Sequence, residues 1–171
     1  MDTENLLQQA AKATHLLQTL TEEKVNKVLC DTAVALRLAA DDILAANRHD
    51  LERMDPTNPK FDRLQLTSQR IEGIATDMQH VATLPSPLGN TLSFTTCPNG
   101  MTIRKLTVPF GVVGIIYEAR PNVTADVFAL CIKSGNVCVL KGGSDAENTN
   151  SKIVEVIHSV LEKHGISVNH T

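Results

Sequence analysis

The chain should fold as an α/β protein: N-terminal helices first, then a β-hairpin, then the start of a parallel sheet. Three observations predict this. Apolar residues recur at helical spacing over 3–54 and again over 67–82, and an Asn-Gly pair at 99–100 separates two short extended runs. Strand, helix, strand and helix patterns then follow in order from 112 to 161. These changes of period divide the chain into a helical part (1–90), a hairpin (91–108) and a βαβα unit (109–171), with no internal repeat.

The helical part carries Leu6, Leu7, Ala10, Ala13, Leu16 and Leu17, then Val25, Val28, Leu29, Ala33 and Leu36, then Ile43, Leu44 and Leu51 among strong helix formers. Asp41-Asp42 suits the start of a third helix. Asp55-Pro56-Thr57-Asn58-Pro59 ends it, since two prolines and two turn formers cannot continue a helix. Thr67 is placed as the N-cap of a helix bearing Ile71, Ile74, Ala75, Met78, Val81 and Ala82, stopped by Pro85-Ser86-Pro87-Leu88-Gly89.

Cys97-Pro98-Asn99-Gly100-Met101 holds the hairpin turn between extended runs at 92–96 and 101–108, and Pro98 suits an edge strand. Residues 112–117 and 137–140 read as buried-type strands. Between them, 124–134 should be helical and close at Gly135-Asn136. A last helix, capped by Asn148 or Asn150, carries Ile153, Val156, Ile157, Val160 and Leu161 and ends near Gly165.

Composition bounds the function. With 171 residues, 42% hydrophobic and 20% charged, the chain can bury about one domain's core, and with no Trp, one Tyr and four Phe that core is aliphatic. A net charge of −3 with interspersed signs argues against a nucleic-acid or anionic-membrane surface. No stretch approaches the roughly 18 apolar residues of a membrane span. The opening Met1-Asp2-Thr3-Glu4-Asn5 is acidic where a secretory signal is basic, so a cytoplasmic location is expected. Cys30, Cys97, Cys131 and Cys138 lack C-x-x-C spacing and sit among apolar neighbours, which reads as four reduced core thiols. The six histidines lack ligand spacing, and no metal site is expected.

In an open α/β sheet, chemistry is sought beyond the carboxyl ends of the strands. Glu118-Ala119-Arg120-Pro121-Asn122 follows the first strand and Lys141-Gly142-Gly143-Ser144 the second. A glycine pair lets backbone N–H groups approach a phosphate or ribose, with Lys141 supplying a cation, although a strand followed by Gly-Gly is more often only a turn. Neither G-x-G-x-x-G nor G-x-x-x-x-G-K-[ST] is present. Arg120 can clamp an anion bidentately or pair with Glu118 or Asp126, and Asn122 can be a fixed neutral donor or a cap before Thr124.

The run Val108-Pro109-Phe110-Gly111-Val112-Val113-Gly114-Ile115-Ile116-Tyr117-Glu118-Ala119-Arg120-Pro121-Asn122-Val123-Thr124 resembles the γ-glutamyl phosphate reductases of the aldehyde dehydrogenase superfamily. Lys133-Ser134-Gly135-Asn136 and Leu140-Lys141-Gly142-Gly143-Ser144 share the resemblance, as do Asp62-Arg63-Leu64, Leu66-Thr67, Arg70-Ile71 and Leu84-Pro85-Ser86-Pro87. It implies a Rossmann-like sheet of the aldehyde dehydrogenase type, an oligomerisation-type hairpin at 91–108 and a partial nucleotide-binding unit at 109–171. It implies NADPH-dependent reduction of L-γ-glutamyl 5-phosphate to glutamate 5-semialdehyde in proline biosynthesis, through a thioacyl enzyme. The cysteine of that intermediate belongs to a catalytic domain that the resemblance places outside this chain, so the chain reads as an N-terminal portion, inactive alone.

By resemblance Asn122 is the oxyanion donor, Lys141 with Gly142, Gly143 and Ser144 holds NADPH, and Arg120 meets the substrate. Gly143-Ser144 stands where the superfamily has an NAD-favouring acidic residue, although Asp145 is near. Implied partners are the small-molecule substrate, further copies of the chain in a homo-oligomer, and glutamate 5-kinase. The alternative reading is a natural short protein that binds nucleotide or pairs with enzyme subunits without catalysis.

Overall fold

Thr21 begins the first long buried helix by accepting the N–H of Lys24 at 3.2 Å, and Glu22 and Glu23 lie favourably in its first turn. The structure is a computed structural model that describes residues 3–118 and 120–166. Ala119 of the motif, the opening Met1-Asp2 and the last part of the βαβα unit, 167–171, lie outside the described residues.

Helices α1 (Thr3–Gln18), α2 (Glu22–Leu38) and α3 (Ala40–Glu52) fill the first region, and Ala39 closes α2 and opens α3. The Asp55–Pro59 segment forms side-chain-closed turns: Asp55 Oδ1 accepts the N–H of Thr57, and Asn58 Oδ1 accepts that of Lys60. A short helix α4 (Phe61–Leu64), too brief for periodicity to reveal, precedes α5 (Ser68–Thr83). Thr67 caps α5 by accepting the N–H of Arg70, as its position before the apolar run predicts.

The antiparallel hairpin joins β1 (Thr91–Thr96) to β2 (Thr102–Leu106), with Phe94 opposite Arg104, whose guanidinium stands 5.5 Å over the ring. Its loop is wider than a two-residue Asn-Gly turn. Cys97 C=O accepts the N–H of Gly100, Gly100 has φ +83°, and Cys97 N–H donates to Met101 C=O. This is a three-residue loop with glycine in the left-handed position.

Parallel strands β3 (Val112–Ile116) and β4 (Val137–Lys141) enclose α6 (Pro121–Lys133) in sequence, and α7 (Glu147–Lys163) follows a 3₁₀ turn at Ser144–Ala146. Gly135, at φ +69°, ends α6 as anticipated, its N–H donating to Ile132 C=O while the N–H of Asn136 donates to Cys131 C=O. The core joins α2, α5, α6 and α7 through residues such as Leu29, Leu36, Ala75, Phe128 and Ile153. Truncating a fully buried leucine such as Leu29 costs about 2–5 kcal/mol. Buried Lys133 fastens α6 to α2 by donating to Asn26 Oδ1 at 2.6 Å and Glu22 at 3.3 Å.

Four expectations are corrected. The strands are not buried: no residue of either is fully enclosed and Ile116 is 88% exposed, because among the described residues the sheet has only these two strands and little covers them. Helix α6 starts at Pro121, not 124, since proline's fixed φ suits the first helical position. Neither Asn148 nor Asn150 caps α7, which already begins at Glu147. Cys30 is exposed rather than in the core, because the buried stripe of α2 runs through Val25, Val28, Leu29 and Thr32 and leaves Cys30 turned away, and Cys97 is half-buried.

Candidate functional site

The parallel register sets Ile116 opposite Lys141, and the N–H of Tyr117 donates to Lys141 C=O at 3.1 Å. Both strands therefore end at one level, with Glu118 following the first and 142–144 the second. A cleft of about 550 Å³ lies against the second exit, within the usual range for small-molecule sites. Lys141, Gly142, Gly143 and Ser144 form its polar end with Asn150 and Ser151 of α7, while α1 supplies an apolar wall through Leu6, Ala10 and Ala13.

Lys141 is exposed, and among the described residues its ammonium donates only to the neighbouring Gly142 C=O at 3.0 Å. That cation can swing to a ligand at small cost. Beneath the turn, Tyr117, Thr124 and Asn150 form a chain. Thr124 Oγ1 donates to Asn150 Oδ1 at 2.9 Å, so its single proton is committed and the Tyr117 hydroxyl donates to Thr124 at 2.6 Å. Burial pushes the Tyr117 phenol above its ordinary range. Asn150 Nδ2, on a residue only 9% exposed, has no hydrogen-bond partner among the described residues.

Gly142 must be glycine for packing reasons. A Cβ there would lie 2.6 Å from Asn150 Nδ2 and 3.2 Å from the Tyr117 hydroxyl, and Asn150 is held in place by Thr124. Gly142→Ala should cost about 1–3 kcal/mol by overpacking. Urea unfolding of the variant checks this, and an unchanged midpoint would show that Asn150 yields freely.

Asn122 lies in the first turn of α6, half-buried, with its Nδ2 donating to Asp126 Oδ2 at 3.0 Å. Burial raises the Asp126 carboxyl above its usual range, and the Asn122 hydrogen bond opposes that shift. Asn122 is therefore inside the helix, not a cap ahead of Thr124. Arg120 is the N-cap residue, exposed, and makes neither ion pair considered for it: Glu118 pairs with Lys60 at 2.8 Å and Asp126 is taken by Asn122. Asp145 also faces Lys60, at 3.9 Å.

Of the four thiols, Cys131 on α6 and Cys138 on β4 interact with each other, and the Cys131 hydrogen bond together with burial pushes the Cys138 thiol far up.

One supporting residue escaped the sequence reading. Buried Asp50, in the last turn of α3, accepts the backbone N–H of Asn148 and Thr149 and both of their side chains, at 2.6–3.2 Å. It caps α7 from another helix and fixes the element behind the Gly142 turn. A signal existed: a carboxylate in the last turn opposes its own helix dipole and so needs a partner elsewhere.

No family model matches the chain. A γ-glutamyl phosphate reductase of Parabacteroides distasonis is 59% identical over 167 residues, which is 98% of this chain and 40% of that protein. Over nearly its whole length, this chain is similar to the N-terminal portion of γ-glutamyl phosphate reductases. A second member of the family, from Chlorobium luteolum, is 56% identical over 94% of this chain and 38% of its own length, so the chain spans about 40% of the curated relatives it matches. The crystal structure of the Thermotoga maritima γ-glutamyl phosphate reductase superposes with a TM-score of 0.88 at 35% identity, covering 93% of this chain and 39% of that one. A probable aldehyde dehydrogenase from Listeria monocytogenes, 17% identical with a TM-score of 0.70 over 95% of this chain and 34% of its own, shares the fold. The fold is thus the α/β architecture of the aldehyde dehydrogenase type. Among the described residues no helix is long and apolar enough to cross a membrane.

Proposed function

We propose that this chain supplies the NADPH-holding part of an enzyme that reduces L-γ-glutamyl 5-phosphate to L-glutamate 5-semialdehyde, releasing phosphate. The observation that carries the reading is a cleft lined by the 141–144 turn at the carboxyl end of β4, with Arg120 and Asn122 following its parallel partner β3, in a chain 59% identical to a γ-glutamyl phosphate reductase.

The residues of the cleft suit a dinucleotide. Lys141 offers an exposed cation held only by its neighbour's carbonyl among the described residues, Gly142-Gly143 brings bare backbone to the rim, and Asn150 keeps a buried donor without a partner among those residues. Ser144 brings no charge, and Asp145 is turned to Lys60, which favours the 2′-phosphate of NADPH over NAD. NADPH, when bound, supplies the hydride. In this reading the amide of Asn122 donates to the oxygen that gains negative charge as the acyl carbon is attacked, and Arg120 meets an anionic group of the substrate. The acyl-accepting thiol is none of the four here: Cys30 and Cys97 sit on α2 and at the hairpin end, and Cys131 and Cys138 hold one another. The 171-residue chain alone accordingly turns over no substrate.

Self-association fits the same reading. The hairpin is exposed on both faces, Leu92, Phe94, Ile103 and Leu106 among them, and such an apolar ribbon suits contact with a second subunit in the cytoplasm, where a kinase making the acyl phosphate would also act.

The test is to replace the corresponding segment of the Parabacteroides distasonis enzyme with this chain. The chimera should reduce γ-glutamyl phosphate with NADPH. Lys141→Ala in it should weaken NADPH binding about tenfold or more while sparing transfer of the acyl group to the enzyme. An unchanged NADPH dissociation constant would remove Lys141 from the cofactor site.

A further inference from the structure

We propose that Lys60 and Arg63 join Arg120 in a binding site for a phosphoryl dianion at the carboxyl end of β3. The three side chains line a small cavity of about 90 Å³ with Tyr117, Glu118 and Val123. Lys60 and Arg63 come from the turn before α4 and from α4 itself, more than fifty residues from Arg120 in sequence. Arg70 secures that turn, donating to Asp62 C=O at 2.6 Å and Gln65 C=O at 2.5 Å.

The charges around the cavity are unequally matched. Glu118 lies 2.8 Å and Asp145 3.9 Å from the same ammonium, Lys60, which raises the affinity of that lysine for its proton and holds Glu118 below the usual carboxylate range. Among the described residues Arg63 and Arg120 have no side-chain hydrogen bond or ion pair, Arg63 acting on Glu118 and Lys60 only at longer range, so both guanidinium forks keep their donors for an anion. The N-terminus of the 13-residue α6, which has no side-chain cap, adds its positive end. Two free planar cations and a helix end match a dianion with several acceptor oxygens better than a single carboxylate.

Arg120 is two residues before Asn122. Resting on the function proposed above, the occupant is the phosphate of the acyl phosphate, held beside the group that meets the developing oxyanion and retained as the C–O bond to phosphate breaks. The same chemistry would also recognise the 2′-phosphate of NADPH.

Inorganic phosphate and 2′,5′-ADP, titrated separately into the ¹⁵N-labelled 171-residue chain, distinguish these sources. Phosphate should shift the backbone amides of 122–123 and the Nε–H signals of Arg63 and Arg120. Its dissociation constant should rise about tenfold in Arg63→Gln and in Arg120→Gln, recover in part in Arg63→Lys, and stay constant in Arg104→Gln on the hairpin. Well-dispersed spectra of each variant exclude unfolding as the cause. Absence of these shifts, or unchanged affinity in both glutamine variants, overturns the site. If 2′,5′-ADP binds tenfold tighter than phosphate and loses that gain in Arg63→Gln and in Lys141→Ala alike, the pocket serves the cofactor and the substrate assignment is overturned. Lys141-dependent NADPH binding without phosphate binding defeats this inference and leaves the cofactor reading standing, whereas the reverse result defeats the cofactor reading alone.

Discussion

Asp50→Ala should lower the unfolding free energy of the chain by about 3–4 kcal/mol, the largest loss expected from any single side chain outside the aliphatic core. The carboxylate serves four donors at the start of α7, and those of Thr149 are fully buried. With Asp50 gone, the Thr149 N–H and hydroxyl have no acceptor in reach of water, each costing about 1 kcal/mol or more, and α7 loses its cap for about another 1 kcal/mol. Asn47 keeps its own bonds to Leu64 C=O and Thr149 Oγ1, so the damage concentrates at the α3–α7 contact. For a chain of this size the melting temperature should fall by about 10 °C. Asp50→Asn, which retains one acceptor oxygen, should lose roughly half as much. Urea titration measures both, and hydrogen exchange at the Asn148 and Thr149 amides localises the effect. A loss below about 1 kcal/mol for the alanine variant would show that the first turn of α7 finds other acceptors.

The same residue shows where sequence legibility stopped. Helix α5 could be read from Thr67 and its apolar stripe, and α2 from its stripe alone, because those signals lie within a few residues of one another. The parallel pair could be read because two apolar runs flank a helix of the right length, and only a right-handed crossover returns such a chain to the same sheet. Asp50 acts on Asn148 across 98 residues, and no local pattern encodes that. Lys60 and Arg63 were hidden for the same reason: their turn looked like a stop signal, and only the packed fold carries it to Tyr117 and Arg120. The strands misled in the other direction. Their composition specifies burial between layers, but the two strands among the described residues have only part of it, and the sequence of a strand records the layer it is suited to rather than the cover it has. Helix α6 starts at Pro121, three residues before the 124 that the apolar pattern suggests, because proline at the first helical position is a stronger signal than the polar Arg120-Pro121-Asn122 composition.

That shift alters how Asn122 should be tested. In the chimeric reductase, Asn122→Ala should lower kcat by about 10²–10³, the usual effect of removing one oxyanion donor, while the NADPH dissociation constant barely moves. Aspartate would normally be the sharper probe, since it keeps the shape and places negative charge where negative charge develops. Here it would also set a carboxylate about 3 Å from Asp126, whose carboxyl burial already raises, so it would lose stability as well as rate and could not separate the two. Alanine leaves Asp126 with one fewer donor, half-buried, for a modest stability loss of about 1 kcal/mol. Asp126→Asn supplies the complementary measurement. It keeps an acceptor for Asn122 Nδ2 but removes the charge that orients the amide, so it should lower kcat far less than Asn122→Ala if the amide itself meets the oxyanion. Equal losses of rate in the two variants, accompanied by equal losses of thermal stability, would reduce Asn122 to a helix-turn residue that holds α6 to its own first turn.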